Sequence, residues 1–311
     1  MSRSWRIVLG LAWASLVANC LLVVTGGAVR LTGSGLGCPT WPQCGDGSYV
    51  THSAYGLHGA IEFGNRMLTF VLALVAVATL VSALTARPYR RGPVLLALGL
   101  FLGIPAQAVI GGITVLTKLN PWVVMLHLMC SLLMVAAAAL LVVRVREGDA
   151  PARSELAQPL RHLTSALLGL VLVICYLGAV VTGSGPHAGD LEAKRTGLDP
   201  DRMSQLHADG VFLLVGLTVA LLVALHATGA PAVVRRAAAV LLVVELAQSV
   251  IGFVQFFTGL PAALVAAHML GATVLVAAAV HLVLSTRTRA TRVPAARPAA
   301  SAARPAVAAR T

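Results

Sequence analysis

The chain has 311 residues, 58% of them hydrophobic and 11% charged, and its mean hydropathy is +0.87. No water-soluble fold can hide that much apolar surface, so the sequence reads as an all-α integral membrane protein. Its 23 Lys and Arg against 11 Asp and Glu give a formal charge of +12; the excess sits in short loops and a basic tail, so membrane topology rather than nucleic acid accounts for it.

A helix crosses the hydrocarbon layer with about 20 apolar residues. Eight runs of that size follow one another, at roughly 7–25, 61–84, 93–113, 122–143, 163–183, 206–226, 237–257 and 261–284. The first is too long for the apolar region of a cleaved signal and seven more follow it, so it is expected to be a span. Basic residues cluster on one side of this plan, with 17 at the first end, the 2–3, 4–5 and 6–7 loops and the tail, against six on the other side. The positive-inside rule then puts both ends in the cytoplasm of a plasma-membrane protein and turns the long loops, about 26–58 and 184–204, outward. The segment 287–311, rich in Ala, Pro and Arg, is expected to be a disordered basic cytoplasmic tail near anionic lipid.

The spans repeat. Gln107-Ala-Val-Ile-Gly followed by His127 matches Gln248-Ser-Val-Ile-Gly followed by His268, both offset by 141 residues, and Thr32-Gly-Ser-Gly recurs as Thr182-Gly-Ser-Gly. Four helices per unit is an even number, so the expected architecture is two tandem four-helix bundles, residues 1–150 and 151–286, related by a pseudo-two-fold along the membrane normal.

Histidine depth picks out a site. His162, His226 and His281 fall at cytoplasmic helix ends, and His52, His58 and His187 lie in outer loops or at the mouth of a helix. His127, His207 and His268 remain, each one to two turns inside the outer end of an even-numbered span. An ionisable side chain at that depth marks a functional site by default, and imidazole is the usual ligand of heme iron. His207 and His268, at equal depth in one half, are expected to hold a heme between them. At an offset of 142, His207 maps onto Asn65, and one turn before Asn65 stands Glu62, where the other half has Ser204. Burying that carboxylate costs about 2.5–3.5 kcal/mol even on a lenient scale. It is read either as an ion pair with Arg66 or as a catalytic group.

Several of these stretches resemble the heme A synthase family: Glu62-Phe-Gly-Asn65-Arg66, the outer loop from Gly33 through Cys38-Pro-Thr-Trp-Pro-Gln-Cys44, the two Gln-to-His segments, and Thr182-Gly-Ser-Gly-Pro-His-Ala-Gly-Asp190. The similarity extends over essentially all of residues 5–285. It implies oxidation of a methyl group of heme O to a formyl group, giving heme A for aa3-type cytochrome oxidase, and a heme b in the C-terminal half. Implied partners are heme O, heme O synthase, cytochrome oxidase assembly factors, membrane lipid and an electron acceptor. The family pattern has a histidine where this chain has Asn65, which leaves His127 as the ligand for substrate iron and Glu62 as the catalytic candidate. Arg66 and Arg30 are read either as partners of heme propionates or as interfacial anchors. Cys38 and Cys44, six residues apart in an outward, oxidising location, are expected to form a disulfide. Two other classes compete: a di-heme, quinol-linked electron-transfer cytochrome, disfavoured by Glu62 and the missing fourth histidine, and a small-solute transporter, disfavoured because such proteins usually break helices at the midplane, whereas here the polar residues cluster near one face with no paired Gly/Pro breaks at mid-depth.

Overall fold

The computed structural model describes residues 1–45 and 47–290. It contains eight helices long and apolar enough to cross a membrane: α1 (Arg3–Leu31), α2 (Gly56–Thr85), α3 (Arg91–Leu116), α4 (Pro121–Arg146), α5 (Gln158–Ser184), α6 (Pro200–Ala227), α7 (Ala232–Phe257) and α8 (Ala262–Ser285). In lipid every backbone polar group must find its partner within the protein, and a helix does this locally. The helices α1 to α7 overrun their apolar runs, because the ends that leave the hydrocarbon need only a cap, while α8 matches its run to within one residue. Thus α6 starts at Pro200, with the Asp199 carboxylate accepting from the backbone N–H groups of Asp201 (2.9 Å) and Arg202 (3.4 Å). Asn120 caps α4 in the same way, through Trp122 N–H at 3.0 Å. Proline at the first helical turn fits both starts, since its missing donor would have had no helical partner.

Helix neighbours form two rings. α1, α2, α3 and α4 pack around in order and close with α1 against α4, while α5, α6, α7 and α8 close with α5 against α8. The rings meet through α4 on α8, α1 on α8 and α4 on α5. Exchanging the first four helices for the last four returns the same set of contacts.

The duplication reaches into the turns. Between α3 and α4, Thr117, Lys118 and Leu119 donate their N–H groups to the carbonyls of Ile113, Val115 and Thr114. Between α7 and α8, Thr258, Gly259 and Leu260 donate to Val254, Phe256 and Gln255, each partner displaced by 141 residues. Leu119 and Leu260 both sit at left-handed φ, 57° and 60°. The position before them is glycine in one copy, Gly259 at φ 78°, and Lys118 at φ 51° in the other. A lysine tolerates that region only against a steric cost that glycine avoids.

Hydrogen bonds stitch the halves together on one face and tie the N-terminal half to itself on the other. On the face of the long loops, Gly35 N–H donates to Gly189 O at 2.8 Å and Arg30 donates to the carbonyls of His187 (2.5 Å) and Thr182 (3.0 Å). On the opposite face Arg90, 7% exposed, pairs with Asp149 at 2.7 Å, donates to the carbonyls of Arg144, Val145 and Glu147, and covers the Trp5 ring. There the α4–α5 connection forms β1 (Arg153–Ser154), which pairs antiparallel with β2 (Arg287–Thr288). This corrects the expectation of a tail disordered from 287 onward: the exposed backbone of the connection offers unpaired donors and acceptors, and the residues leaving α8 satisfy them. The rest of that segment, 291–311, lies outside the described residues.

Candidate functional site

The C-terminal ring brings His207 of α6 and His268 of α8 together. Their ring centroids are 6.4 Å apart with planes at 78°. A metal midway, with about 2 Å per metal–nitrogen bond and about 1.1 Å from nitrogen to ring centre, would set the centroids about 6 Å apart. His207 Nδ1 lies 3.1 Å from Ile174 O. A carbonyl only accepts, so Nδ1 carries the proton and Nε2 keeps its lone pair, the arrangement a metal ligand needs. His268 has a buried Nδ1 with no partner among the described residues. The pair therefore fits the heme b expected between them.

Glycines make room for these imidazoles. A Cβ on Gly178 would stand 3.1 Å from His207 Cε1, one on Gly252 3.5 Å from His268 Cε1, and one on Gly111 3.2 Å from His127 Cε1. Each histidine thus lies close against the backbone of the neighbouring odd helix. Gly111 and Gly252 are the last residues of the two Gln-x-Val-Ile-Gly copies, a signal the sequence displays and the analysis of histidine depth alone passes over.

In the N-terminal ring His127 of α4 keeps the equivalent place over α3. Its Nδ1 is buried without a partner, while Gln107 on α3 donates to His127 O at 3.2 Å and to Ser131 Oγ at 2.7 Å. Asn65 points its amide toward α1, with Nδ2 4.0 Å from the Cβ position of Gly26, and its Oδ1 is buried and finds no partner among the described residues. Unpaired buried polar atoms are uncommon and mark places where a further group belongs. His58, the single histidine of α2, is exposed and hydrogen-bonded to Ser34 Oγ at 2.9 Å. It lines an outer cavity of about 750 Å³ together with Arg30, His187 and Arg195.

Glu62, 6% exposed, has both oxygens engaged: Oε1 receives Arg66 at 2.6 Å and Oε2 receives the Cys38 N–H at 2.7 Å. Arg66 also donates to Gln43 O (3.3 Å), Cys38 O (3.3 Å) and Thr40 O (3.1 Å). All three of its nitrogens are thereby committed to Glu62 and the loop, so its geometry is that of an anchor rather than of a propionate partner. Arg30, the other candidate for that role, spends Nε and one terminal nitrogen on the carbonyls that join the halves.

The loop that Arg66 holds is closed by a Cys38–Cys44 disulfide, with both cysteines buried. Cross-linking over so short a loop is worth about 2–3 kcal/mol on the chain-entropy account. Cys38→Ser with Cys44→Ser is therefore expected to lower the thermal unfolding midpoint in detergent. Alkylation of the unreduced protein should leave both thiols unlabelled, and labelling of either would exclude the bond.

The chain matches a family model described as cytochrome oxidase assembly protein (COX15-CtaA) over residues 10–189. That stretch contains Cys38, Cys44, Glu62, Asn65 and His127 and ends before His207 and His268. Among curated relatives, a protein named heme A synthase from Symbiobacterium thermophilum is 32% identical over 180 residues, covering 55% of this chain and 58% of the relative. Proteins of the same name from Geobacillus thermodenitrificans (31% over 144 residues, 44% and 43%) and Exiguobacterium sibiricum (29% over 167 residues, 53% and 56%) are similar as well. The chain spans about half the length of the curated relatives it matches.

Proposed function

The chain belongs to the cytochrome oxidase assembly protein family, and from that premise we propose that it is a heme A synthase, oxidising one ring methyl of heme O to a formyl group in two rounds to give heme A for aa3-type cytochrome oxidase. The observation that carries this reading is the contrast between the halves. One ring sets His207 and His268 6.4 Å apart, whereas the other has His127 and, in place of the second imidazole, Asn65.

Heme b, held by His207 and His268, would supply one-electron transfer. The chain's part there is to fix the His207 tautomer through Ile174 O and to bring the helices close at Gly178 and Gly252. In the N-terminal half His127 would hold the iron of heme O from one side, and the Asn65 amide, a poor ligand, leaves the other side open. Glu62, kept in place by Arg66 and the Cys38 N–H, puts negative charge beside the site. Its task in this reading is to take a proton from, or stabilise positive charge on, the methyl carbon being oxidised.

The exchange-symmetric helix contacts and the duplicated turns support two tandem four-helix units, residues 1–150 and 151–286, about an axis along the membrane normal. The basic bias of the loops supports a plasma-membrane protein with both ends cytoplasmic and the disulfide loop outside. Heme O synthase, as the source of substrate, cytochrome oxidase assembly factors and an electron acceptor are the partners this function requires. Expression in a host that makes heme O but no heme A tests the reading: extracted membranes are expected to contain heme A. Heme O that accumulates unchanged, with the protein present and loaded with heme b, would contradict it.

A further inference from the structure

The loop between Cys38 and Cys44 also carries Trp41, which the proposed function leaves unused. Its partly buried indole lies flat on α3 at Gly112, where a Cβ would come 2.6 Å from Cε2 and 2.8 Å from Cε3. The preceding residue, Gly111, is the one against which His127 rests. Two consecutive glycines of one helix thus receive the iron ligand and the indole side by side. The loop is pinned to α2 through Arg66 on Thr40 O, Cys38 O and Gln43 O and through Glu62 on the Cys38 N–H. With Trp41 seated on α3, it spans the outer mouth between two helices that flank the N-terminal site.

The duplicate makes the point by comparison. Gly112 corresponds, at the offset of 141, to Phe253 of α7. There the helix supplies its own aromatic ring, 6.3 Å from both Phe212 and Phe257, and leaves no notch for a loop to fill. One half has a fixed, helix-borne aromatic beside its histidine's glycine; the other has a glycine and an aromatic borne on a loop. A retained cofactor suits the first arrangement, and a ligand that must enter and leave suits the second.

We infer that Trp41 is a positioning residue that walls the N-terminal site, its indole packing against the edge of a flat, amphiphilic tetrapyrrole and keeping it in register with His127. This rests on the reading of that half as the heme O site. Loss of this aromatic packing and of the area it buries should weaken heme O binding by roughly tenfold.

The test is a titration of the detergent-solubilised, heme b-loaded protein with heme O, followed by the Soret difference spectrum, together with steady-state KM and kcat. Trp41→Ala is expected to raise the dissociation constant and KM by about tenfold while kcat changes less and heme b stays unchanged; Trp41→Phe should recover most of the affinity. Gly112→Leu, which evicts the indole with an aliphatic side chain and leaves the loop sequence unaltered, should reproduce the alanine result. It also decides the matter if Trp41→Ala fails to fold. Wild-type affinity in Gly112→Leu or in a folded Trp41→Ala would overturn the inference. Failure of the wild-type protein to bind heme O would instead overturn the functional reading.

Discussion

His207→Ala is expected to strip the C-terminal half of its low-spin heme, or leave it high-spin and weakly held, and His268→Ala to do the same. Two imidazoles with ring centres 6.4 Å apart would hold a heme only as a pair, and losing one would leave a site that binds from one side. Altering groups that merely orient metal ligands typically costs 10–100-fold in affinity, so removal of a ligand itself should cost at least that. The effect should be confined to this half: His127→Ala is expected to leave the low-spin signal intact and to lose substrate heme. Optical spectra of the purified variants, with extracted heme quantified against protein, make the comparison. An unchanged low-spin spectrum in both His207→Ala and His268→Ala would refute the assignment.

Glu62→Gln is expected to keep heme b, to bind heme O and to lose conversion by about 10²–10⁴-fold, the usual range for general acid–base work. The amide keeps an oxygen that can accept from the Cys38 N–H but loses the ion pair with Arg66, so a rival account is that the loop shifts. Arg66→Ala separates the two. It removes the ion pair and the three carbonyl contacts that hold the loop while leaving the carboxylate. If conversion falls as far in Arg66→Ala as in Glu62→Gln, Glu62 acts through the loop; a much larger loss in Glu62→Gln places it on the substrate. Conversion at the wild-type rate in Glu62→Gln would end its catalytic role.

The spans were legible because lipid demands about 20 apolar residues in succession, and the matched turns after α3 and α7 stand at the same offset of 141 residues that the Gln107-to-His127 and Gln248-to-His268 segments keep. Helix ends were less so: apolarity stops at the hydrocarbon, whereas α6 continues to Pro200 on the strength of the Asp199 cap. The pairing of Arg153–Ser154 with Arg287–Thr288 left no trace, since two residues show no periodicity. The equal depth of His207 and His268 followed from counting along spans, and the pairing of Cys38 with Cys44 from their outward loop. What the loop does with its other residues did not follow. That Arg66 gathers three loop carbonyls and that Trp41 settles on Gly112 depend on a path without repeat, which no spacing rule encodes. The glycines beneath the histidines stood in plain view at Gly111 and Gly252, and only the approach of the imidazoles gives them meaning.

At the centre of the account is an asymmetry between duplicated halves, one closed around a resident heme and the other open to a substrate. The heme composition of the purified protein tests it most directly. The account predicts one tightly bound low-spin heme b per chain, together with substoichiometric heme O or heme A that washes out or disappears in His127→Ala. Two equivalents of tightly held heme b, with no heme O or heme A, would contradict it and mark the protein as an electron carrier.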